Sequence, residues 1–166
     1  MDNIWCPWRM EFIEGKKAGV GGECVFCGLG AQSPSAKNLV LAKGKEAFVV
    51  MNRYPYSNGH LLVVPYPHEA KLKKLPASTY QEILWFTSEC MEILADCFKA
   101  EGFNCGMNSG RVAGCGILDH VHWHVVPRWE GDTNFMSVLA DVRLMPEYLA
   151  ESYKKLEGSF QKLTKK

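Results

Sequence analysis

The sequence lacks a strong charge of either sign. Nineteen Lys and Arg residues stand against eighteen Asp and Glu residues, which leaves a formal net charge of +1 over 166 residues. A chain with so little net charge has no general attraction for nucleic acid polymers or for anionic membranes. We therefore expect no nucleic acid partner, and any anionic ligand must be bound by a local site.

The chain also lacks a long apolar segment. Its longest clear apolar runs are LLVVP at 61–65 and the stretch around Val49 and Val50, whereas a helix that crosses a bilayer needs about 20 apolar residues. The opening residues, MDNIWCPWRMEF, place an acid at position 2 and contain no apolar core before a small-residue cleavage site. We expect a cytoplasmic protein without a membrane partner.

Paired cysteines are a third feature that is missing, because the seven cysteines are an odd number: 6, 24, 27, 90, 97, 105 and 115. In a chain without a secretion signal, this argues against a disulfide framework. Reduced thiols, some of them at a metal site, are the interpretation we favour. Cys90 and Cys97 lie on an apolar helix face and are expected to fill the core.

The composition and the spacing of apolar residues indicate one α+β domain. With 47% apolar and 22% charged residues, a chain of 166 residues can bury one core. Five strand-like segments are predicted, which begin at Asn38, Glu46, His60, Phe103 and His120. Because strands and helices do not alternate regularly, we predict a mainly antiparallel five-stranded sheet.

Two helices are predicted beside this sheet. The longer one spans 78–102: Ser78 and Gln81 form a capping box, Gly102 ends the helix, and apolar residues recur along one face at 83, 86, 90, 93 and 97. A C-terminal helix is predicted to open at Pro146, and its inner face consists of Leu149, Tyr153 and Leu156.

Three of the five histidines, His120, His122 and His124, alternate with Val121 and Trp123. In a strand this spacing places the three imidazoles on one face, with about 7 Å between neighbours. Three functions remain open for such a face. The histidines ligate a metal with further ligands from elsewhere, one of them is a nucleophile that accepts a phosphoryl or nucleotidyl group, or they form a half-exposed polar surface.

The loop before the histidines favours the nucleophile. Residues 106–116 contain four glycines together with Asn108, Ser109 and Arg111. A glycine-rich backbone can approach phosphate oxygens closely and direct N–H groups at them. A site that only bound a metal would have less need for a loop with so few side chains.

The segment HVHWHVV from His120 resembles the signature His-φ-His-φ-His-φ-φ of the histidine triad nucleotide hydrolases and transferases. VVMNRYPYSNGHLLVVP and MNSGRVAGCG resemble segments of the same family, so the likeness covers a core at 38–128. An N-terminal extension, 1–37, contains a CxxC, and a C-terminal extension spans 129–166. The opening segment WCPWRMEFI and the segment PRWEGDTNFM after the histidines resemble a bacterial subgroup described as diadenosine tetraphosphate phosphorylases. The resemblance implies a single domain of the histidine triad fold and a homodimer.

It also implies a role for individual residues. His122 matches the family's nucleophile, which attacks the α-phosphorus of a nucleotide, while His124 matches a residue that contacts phosphate or leaving-group oxygens and His120 a structural one. Asn52 matches a ribose-binding residue and Asn108 a residue near the scissile phosphate. Backbone N–H groups are expected to meet phosphates in the segment Gly114, Cys115, Gly116 and Ile117.

The implied activity is cleavage of dinucleoside polyphosphates through a nucleotidyl-histidine intermediate, with Mg²⁺ as a companion of the substrate. The alternatives are a phosphorylase that uses phosphate instead of water, and a zinc-stabilised nucleotide-binding module with little turnover. In one respect the loop departs from the family, because Cys115 and Gly116 stand where many members have Gln followed by Ser or Thr. That change removes a hydroxyl group that would act on the leaving group.

Cys24 and Cys27 form a CxxC, which alone is a moderately specific motif. A tetrahedral zinc ion needs two more ligands. Some triad proteins that this chain resembles hold zinc with two cysteines and two histidines, which here are His68 and His120. Such an ion would be structural; the alternative is that these cysteines are unconnected and that His68 is a surface residue.

Overall fold

The structure is a computed structural model that describes residues 24–132 and 145–163. The predicted N-terminal extension is therefore described only from Cys24 onward, and the C-terminal one only at 129–132 and 145–163. The remaining segments, 1–23, 133–144 and 164–166, lie outside the described residues. Among the described residues, no helix is both long and apolar enough to cross a membrane.

Five strands form one antiparallel sheet, in agreement with the predicted α+β class. The strands are β1 (Val40–Lys43), β2 (Ala47–Met51), β3 (Leu61–Pro65), β4 (Gly102–Gly106) and β5 (Trp123–Arg128), and their order across the sheet is β1-β2-β3-β5-β4. Every neighbouring pair is antiparallel. β2 and β3 are buried along their whole length, as expected for Val- and Leu-rich central strands.

In the described ranges 24–132 and 145–163, three α-helices accompany the sheet: α1 (Val25–Gly30), α2 (Ala77–Phe98) and α3 (Leu149–Leu163). α2 packs against β2, β3 and β5, whereas α3 packs against β1 and α2. The Tyr153 hydroxyl of α3 donates to the carbonyl of Val40 at 3.0 Å. Glu82 of α2 accepts backbone N–H bonds from residues 45, 46 and 47 at 2.6–3.0 Å, which fixes the β1–β2 turn to the helix.

The predicted ends of α2 are wrong at both termini. The helix begins at Ala77 after Pro76, and no side chain caps it, so Ser78 and Gln81 form no capping box. It ends at Phe98 because Lys99 takes the left-handed conformation, with a φ of 55°. Gly102, the predicted end, is instead the first residue of β4. α3 begins at Leu149 rather than Pro146, with Tyr153 and Leu156 buried as predicted.

The predicted histidine strand is shorter than its sequence pattern. β5 begins at Trp123, so His120 and His122 precede the strand and only His124 belongs to it. His124 lies directly opposite Leu62 of β3, and the two side chains therefore share a face of the sheet. α1, which was not predicted, places the CxxC at its start, with Cys24 as its N-cap residue.

Candidate active site

Four imidazoles cluster at the junction of β3 and β5. His60 and His120 are each 1% exposed, and His122 and His124 are each 7% exposed. The ring centroids of His122 and His124 are 5.1 Å apart, and those of His60 and His124 are also 5.1 Å apart. Because all are buried, the half-exposed polar surface considered from the sequence is wrong. The predicted spacing of about 7 Å is too long for His122 and His124, whose rings lie closer because His122 is outside the regular strand.

The main chain fixes the orientation and the tautomer of His122. Its Nδ1 lies 2.9 Å from the carbonyl oxygen of His120, which can only accept a hydrogen bond. Nδ1 therefore carries the proton and donates it, and the lone pair of the neutral ring is on Nε2. Burial lowers the pKa of His122, and the ring of Phe26 lies 5.0 Å away. His122 is thus a neutral imidazole whose Nε2 is available as a nucleophile at neutral pH.

A chain of hydrogen bonds fixes the tautomer of His124. The backbone N–H of Tyr56 donates to Nδ1 of His60 at 3.0 Å, so the proton of His60 is on Nε2. That Nε2–H donates to Nδ1 of His124 at 2.9 Å, which leaves the proton of His124 on its own Nε2. Within 24–132 and 145–163, this buried Nε2 has no hydrogen-bond partner. Its N–H group is thus a buried donor for which the described residues supply no acceptor.

The charge on His124 is controlled by burial. Removal from water is the larger cause and neighbouring His122 the smaller one, and together they lower the pKa of His124 to about 4. At neutral pH His124 therefore donates through Nε2 without carrying a charge. This state is compatible with the proton that His60 directs at Nδ1.

His60 is the residue whose role the sequence did not reveal. As a lone histidine after Gly59 it was equally compatible with a contact to substrate and with a simple strand start. The structure instead buries it against His124, because β3 pairs with β5 and places Leu61 opposite Val125. The only signal for this contact is that two strand-like segments each begin with histidine and pair with each other. That pairing cannot be predicted from either segment alone.

The two predicted asparagines lie just after the ends of β2 and β4. Asn52 follows β2, and its Oδ1 accepts the N–H of Tyr54 at 2.9 Å while its Nδ2 lies 3.3 Å from Nδ1 of His60. Asn108 follows β4, and its Nδ2 donates to the hydroxyl of Tyr56 at 3.4 Å. Both side chains are therefore connected to the turn that precedes His60. Their predicted contacts with ribose and phosphate remain predictions.

The glycine-rich loop uses only part of its backbone internally. The N–H groups of Gly114 and Cys115 donate to the carbonyls of Arg111 and Gly110 at 3.0 and 3.3 Å. In the part of the chain that the structure describes, the N–H groups of Gly116 and Ile117 have no such partner. The Sγ of Cys115 lies 3.0 Å from the carbonyl oxygen of Ile117, so the thiol is directed back onto the loop. In the predicted segment, the backbone N–H groups of Gly114 and Cys115 therefore donate within the loop, whereas those of Gly116 and Ile117 do not.

A second cluster contains the four residues of the predicted metal set: Cys24, Cys27, His68 and His120. Their ligand atoms all lie within 4.8 Å of one another. The Sγ of Cys24 lies 3.3 Å from Nδ1 of His120, and the Sγ of Cys27 lies 3.4 Å from Nδ1 of His68 and 3.7 Å from Nδ1 of His120. The two cysteines are therefore connected to both histidines, although Cys27 and His68 are exposed, and the set is a candidate metal centre.

The geometry of this cluster matches a small tetrahedral ion. Metal–sulfur bonds of about 2.3 Å and metal–nitrogen bonds of about 2.0 Å separate neighbouring ligand atoms by about 3.5 Å, close to the distances between the thiols and the imidazoles. Nε2 of His120 donates to the carbonyl of Pro65 at 2.8 Å, which leaves the Nδ1 lone pair directed at the thiols. Burial lowers the pKa of His120 and so favours the neutral ligand form.

A metal held jointly by the three alternating histidines, the other reading of the sequence pattern, does not fit this arrangement. Among the described residues, only one group of three or more metal-ligating side chains comes together, and His120 is its only member from the triad. Nδ1 of His122 and Nδ1 of His124 are engaged by His120 and His60. The first histidine therefore belongs to the candidate metal centre, and the other two form a separate site.

A five-stranded antiparallel sheet that places three closely spaced histidines beside a glycine-rich loop defines the histidine triad class of proteins. The model of the HIT domain matches residues 33–131 of this chain. The chain belongs to the HIT family, which confirms the resemblance found in the sequence.

Curated relatives extend the similarity beyond the domain. The chain is 32% identical over 158 residues to an AP-4-A phosphorylase from Mycobacterium tuberculosis, and the match covers 92% of this chain and 80% of that protein. It is 29% identical over 126 residues to an adenosine 5'-monophosphoramidase from Saccharomyces cerevisiae, with 75% of each chain covered. Both names are names of enzymes, and the prediction that this chain is an enzyme is confirmed.

Solved structures support the fold. A zinc-bound histidine triad family protein from Mycobacterium smegmatis is 26% identical, with a TM-score of 0.66 and coverage of 85% of this chain and 95% of that one. A hypothetical histidine triad nucleotide-binding protein from Sulfolobus tokodaii is likewise 26% identical, with a TM-score of 0.66 and coverage of 84% and 93%.

Proposed function

We propose that this enzyme cleaves dinucleoside polyphosphates, such as diadenosine tetraphosphate, by transferring a nucleotidyl group through His122. The observation that carries the proposal is the hydrogen bond from Nδ1 of His122 to the carbonyl of His120. It leaves a neutral Nε2 to attack the α-phosphorus. A P–N bond forms while the bond to the leaving phosphate oxygen breaks, and a nucleotidyl-histidine intermediate results.

His124 is the proposed donor to the phosphate and leaving-group oxygens. Its Nε2–H is buried and unpaired among the described residues, and a donor of this kind stabilises charge that develops on oxygen in the transition state. Because His60 holds Nδ1 of His124, the donor keeps one tautomer through the reaction. His120 acts through its carbonyl oxygen rather than through its ring.

The remaining contacts are assigned to the substrate by their position near these histidines. We assign Asn52 to the ribose hydroxyls and Asn108 to the region of the scissile phosphate. Within the segment 114–117, the N–H groups of Gly116 and Ile117 are the better candidates for phosphate contacts, because those of Gly114 and Cys115 already donate within the loop. Mg²⁺ is expected to accompany a polyphosphate substrate, as in most phosphoryl transfer.

Phosphate is the proposed acceptor of the nucleotidyl group. The similarity to the phosphorylase from Mycobacterium tuberculosis, which spans 92% of this chain, supports phosphate over water. In the second step a phosphate oxygen attacks the nucleotidyl phosphorus, the P–N bond breaks, and a nucleoside diphosphate leaves. Hydrolysis, in which water takes the place of phosphate, is the second candidate.

Product analysis tests both candidates. The enzyme is incubated with diadenosine tetraphosphate, with and without inorganic phosphate. ATP plus ADP is the expected result, whereas ATP plus AMP would mean hydrolysis, and no products would mean a nucleotide-binding module. His122→Ala is expected to abolish turnover, while Lys73→Ala, at an exposed position, serves as the control. Full activity of His122→Ala would contradict the assignment of the nucleophile.

Zinc is the proposed occupant of the cluster of Cys24, Cys27, His68 and His120. The donor set of two thiolates and two imidazoles, and the ligand spacing, support this ion. The zinc-bound relative from Mycobacterium smegmatis supports it further. With all four positions filled by protein, the ion would tie the N-terminal segment to the histidines and would take no part in the reaction.

Metal analysis tests the zinc proposal. The purified protein is expected to contain zinc, and Cys24→Ser is expected to lose most of it, whereas Cys97→Ser, which lies outside the cluster, is expected to keep it. Zinc content that is unchanged in Cys24→Ser would contradict the four-ligand site. The homodimer and the cytoplasmic location stay predictions from the sequence.

A further inference from the structure

Tyr56 lies in the turn between β2 and β3 and brings its ring against two histidines of the site. The phenol ring stacks on His124, with ring centroids 5.5 Å apart and an interplanar angle of 12°. Its centroid is 4.7 Å from that of His60. Tyr56 itself is 40% exposed, so the ring separates two buried imidazoles from solvent.

The hydroxyl of Tyr56 makes a second connection. It accepts a hydrogen bond from Nδ2 of Asn108 at 3.4 Å, and Asn108 belongs to the glycine-rich loop between β4 and β5. A single side chain therefore joins three parts of the site, namely the turn before His60, the donor His124 and the loop proposed to meet the phosphate.

The side chain and the main chain of Tyr56 have separate roles. The backbone N–H of Tyr56 donates to Nδ1 of His60 at 3.0 Å and so fixes the tautomer of His60. Substitution of the Tyr56 side chain leaves this backbone donor in place. Variants at position 56 therefore test the ring and the hydroxyl without removing the bond that orients His60.

We propose that Tyr56 is a positioning residue of the active site. Its phenol ring shields the imidazole of His124 from water and keeps that imidazole parallel to itself, and its hydroxyl holds the glycine-rich loop through Asn108. This inference rests on the proposed function, because it assigns the donor role to His124. It goes beyond that function by naming a residue outside the histidine signature on which the state of the donor depends.

The shielding has a measurable consequence for protonation. Among the described residues, the titratable groups in contact with His124 are His60, His122 and Tyr56. Burial is the main cause that lowers the pKa of His124. Removing the phenol ring admits water to one face of the imidazole. The charged form then becomes less unfavourable, and the pKa rises toward the ordinary value of about 6.5.

Nuclear magnetic resonance and kinetics test the proposal together on Tyr56→Ala, Tyr56→Phe and a control, Tyr148→Ala, at a tyrosine that is 69% exposed. The histidine resonances are titrated, with that of His124 assigned by its loss in His124→Gln. In Tyr56→Ala the pKa of His124 is expected to rise clearly above the wild-type value, while Tyr56→Phe and Tyr148→Ala leave it unchanged.

Steady-state cleavage of diadenosine tetraphosphate supplies the second readout. Tyr56→Ala is expected to lower kcat by about tenfold or more, since a correctly placed proton donor contributes at least that much. Tyr56→Phe keeps the ring and loses the bond to Asn108, so KM is expected to rise about two- to tenfold, with little change in kcat.

An unshifted His124 titration in Tyr56→Ala, or a kcat within twofold of wild type, would overturn the proposal. If wild-type protein cleaves no dinucleotide, the proposed function fails while the titration still decides the shielding. Should Tyr56→Ala not fold, Tyr56→Leu retains apolar bulk without a flat ring, and unchanged kcat and KM in that variant would likewise refute the role.

Discussion

His60 is expected to be essential for efficient turnover although it lies outside the histidine signature. Its Nε2–H donates to Nδ1 of His124 at 2.9 Å, and its own Nδ1 accepts the backbone N–H of Tyr56. In His60→Phe both bonds are lost while a ring of similar size fills the space. His124 is then free to place its proton on Nδ1, and in that tautomer Nε2 can no longer act as the proposed donor to the leaving group.

The size of the effect follows from the bond that is lost. A buried hydrogen bond whose partner is left unsatisfied is worth about 1–3 kcal/mol. If that free energy is lost in the transition state, kcat falls about 5- to 150-fold, since each 1.4 kcal/mol corresponds to a factor of about ten. His60→Gln retains an amide N–H and a carbonyl oxygen, so part of this loss is expected to be rescued.

The assay compares kcat of the two variants on diadenosine tetraphosphate with that of the wild type. Because His60 is fully buried, the melting temperature is measured in parallel. Cys90→Ala, which opens a cavity at a buried position on α2, is the control for loss of stability alone. A His60→Phe variant that turns over at the wild-type rate, or one no slower than an equally destabilised Cys90→Ala, would refute the tautomer argument.

Three further predictions concern the pKa of His124, the candidate metal centre and the turn before β3. The folded state keeps the pKa of His124 at about 4, below the ordinary value of 6.5, so on acidification the unfolded chain binds a proton before the folded one does. Thermal stability is therefore expected to fall as the pH drops from about 6.5 to about 4, and a flat profile would contradict this. Removal of metal by a strong chelator is expected to lower the melting temperature of the wild type, with Cys24→Ser unresponsive as the comparison. Gly59→Ala is expected to lower the free energy of unfolding, measured by urea titration, by about 1–3 kcal/mol. The reason is that Gly59 has a φ of 75° and that an added Cβ would lie 3.1 Å from Leu94. An unchanged urea midpoint would contradict this and would show that the turn relaxes.

Periodicity in the sequence was sufficient to find the sheet and the two long helices. Apolar alternation and turn residues located all five strands to within a few residues, and the recurring apolar face located α2. The errors occur at ends, where local signals compete with tertiary contacts. Ser78 and Gln81 fit a capping box, but Pro76 already precedes the first turn, and Lys99 adopts the left-handed conformation three residues before the expected glycine.

Those residues of the candidate site that belong to short contiguous sequence motifs could be predicted from the sequence. The alternating histidines and the CxxC belong to such motifs, and the structure brings the predicted metal set together. The contacts of His60 and Tyr56 depend on how β3 pairs with β5 and on the conformation of the turn before β3. Pairing between strands that are distant in the chain leaves no signal in either segment alone. The structure was therefore needed to identify the contacts of His60 and Tyr56.

His120 connects the candidate metal centre to His122, the proposed nucleophile. Its side chain faces Cys24 and Cys27 through Nδ1 and is held by Pro65 through Nε2, whereas its carbonyl oxygen holds Nδ1 of His122. The ring and the carbonyl belong to one residue that precedes the regular strand, so no β-ladder fixes this part of the backbone. The N–H group of Val121, which lies in the same peptide unit as that carbonyl, donates to the carbonyl of Glu69 at 2.8 Å, so this bond and the contacts of the ring position the carbonyl together. A bound metal would strengthen the contacts of the ring and so help to hold the proposed nucleophile, His122, in the tautomer that leaves its Nε2 unprotonated, without touching the substrate.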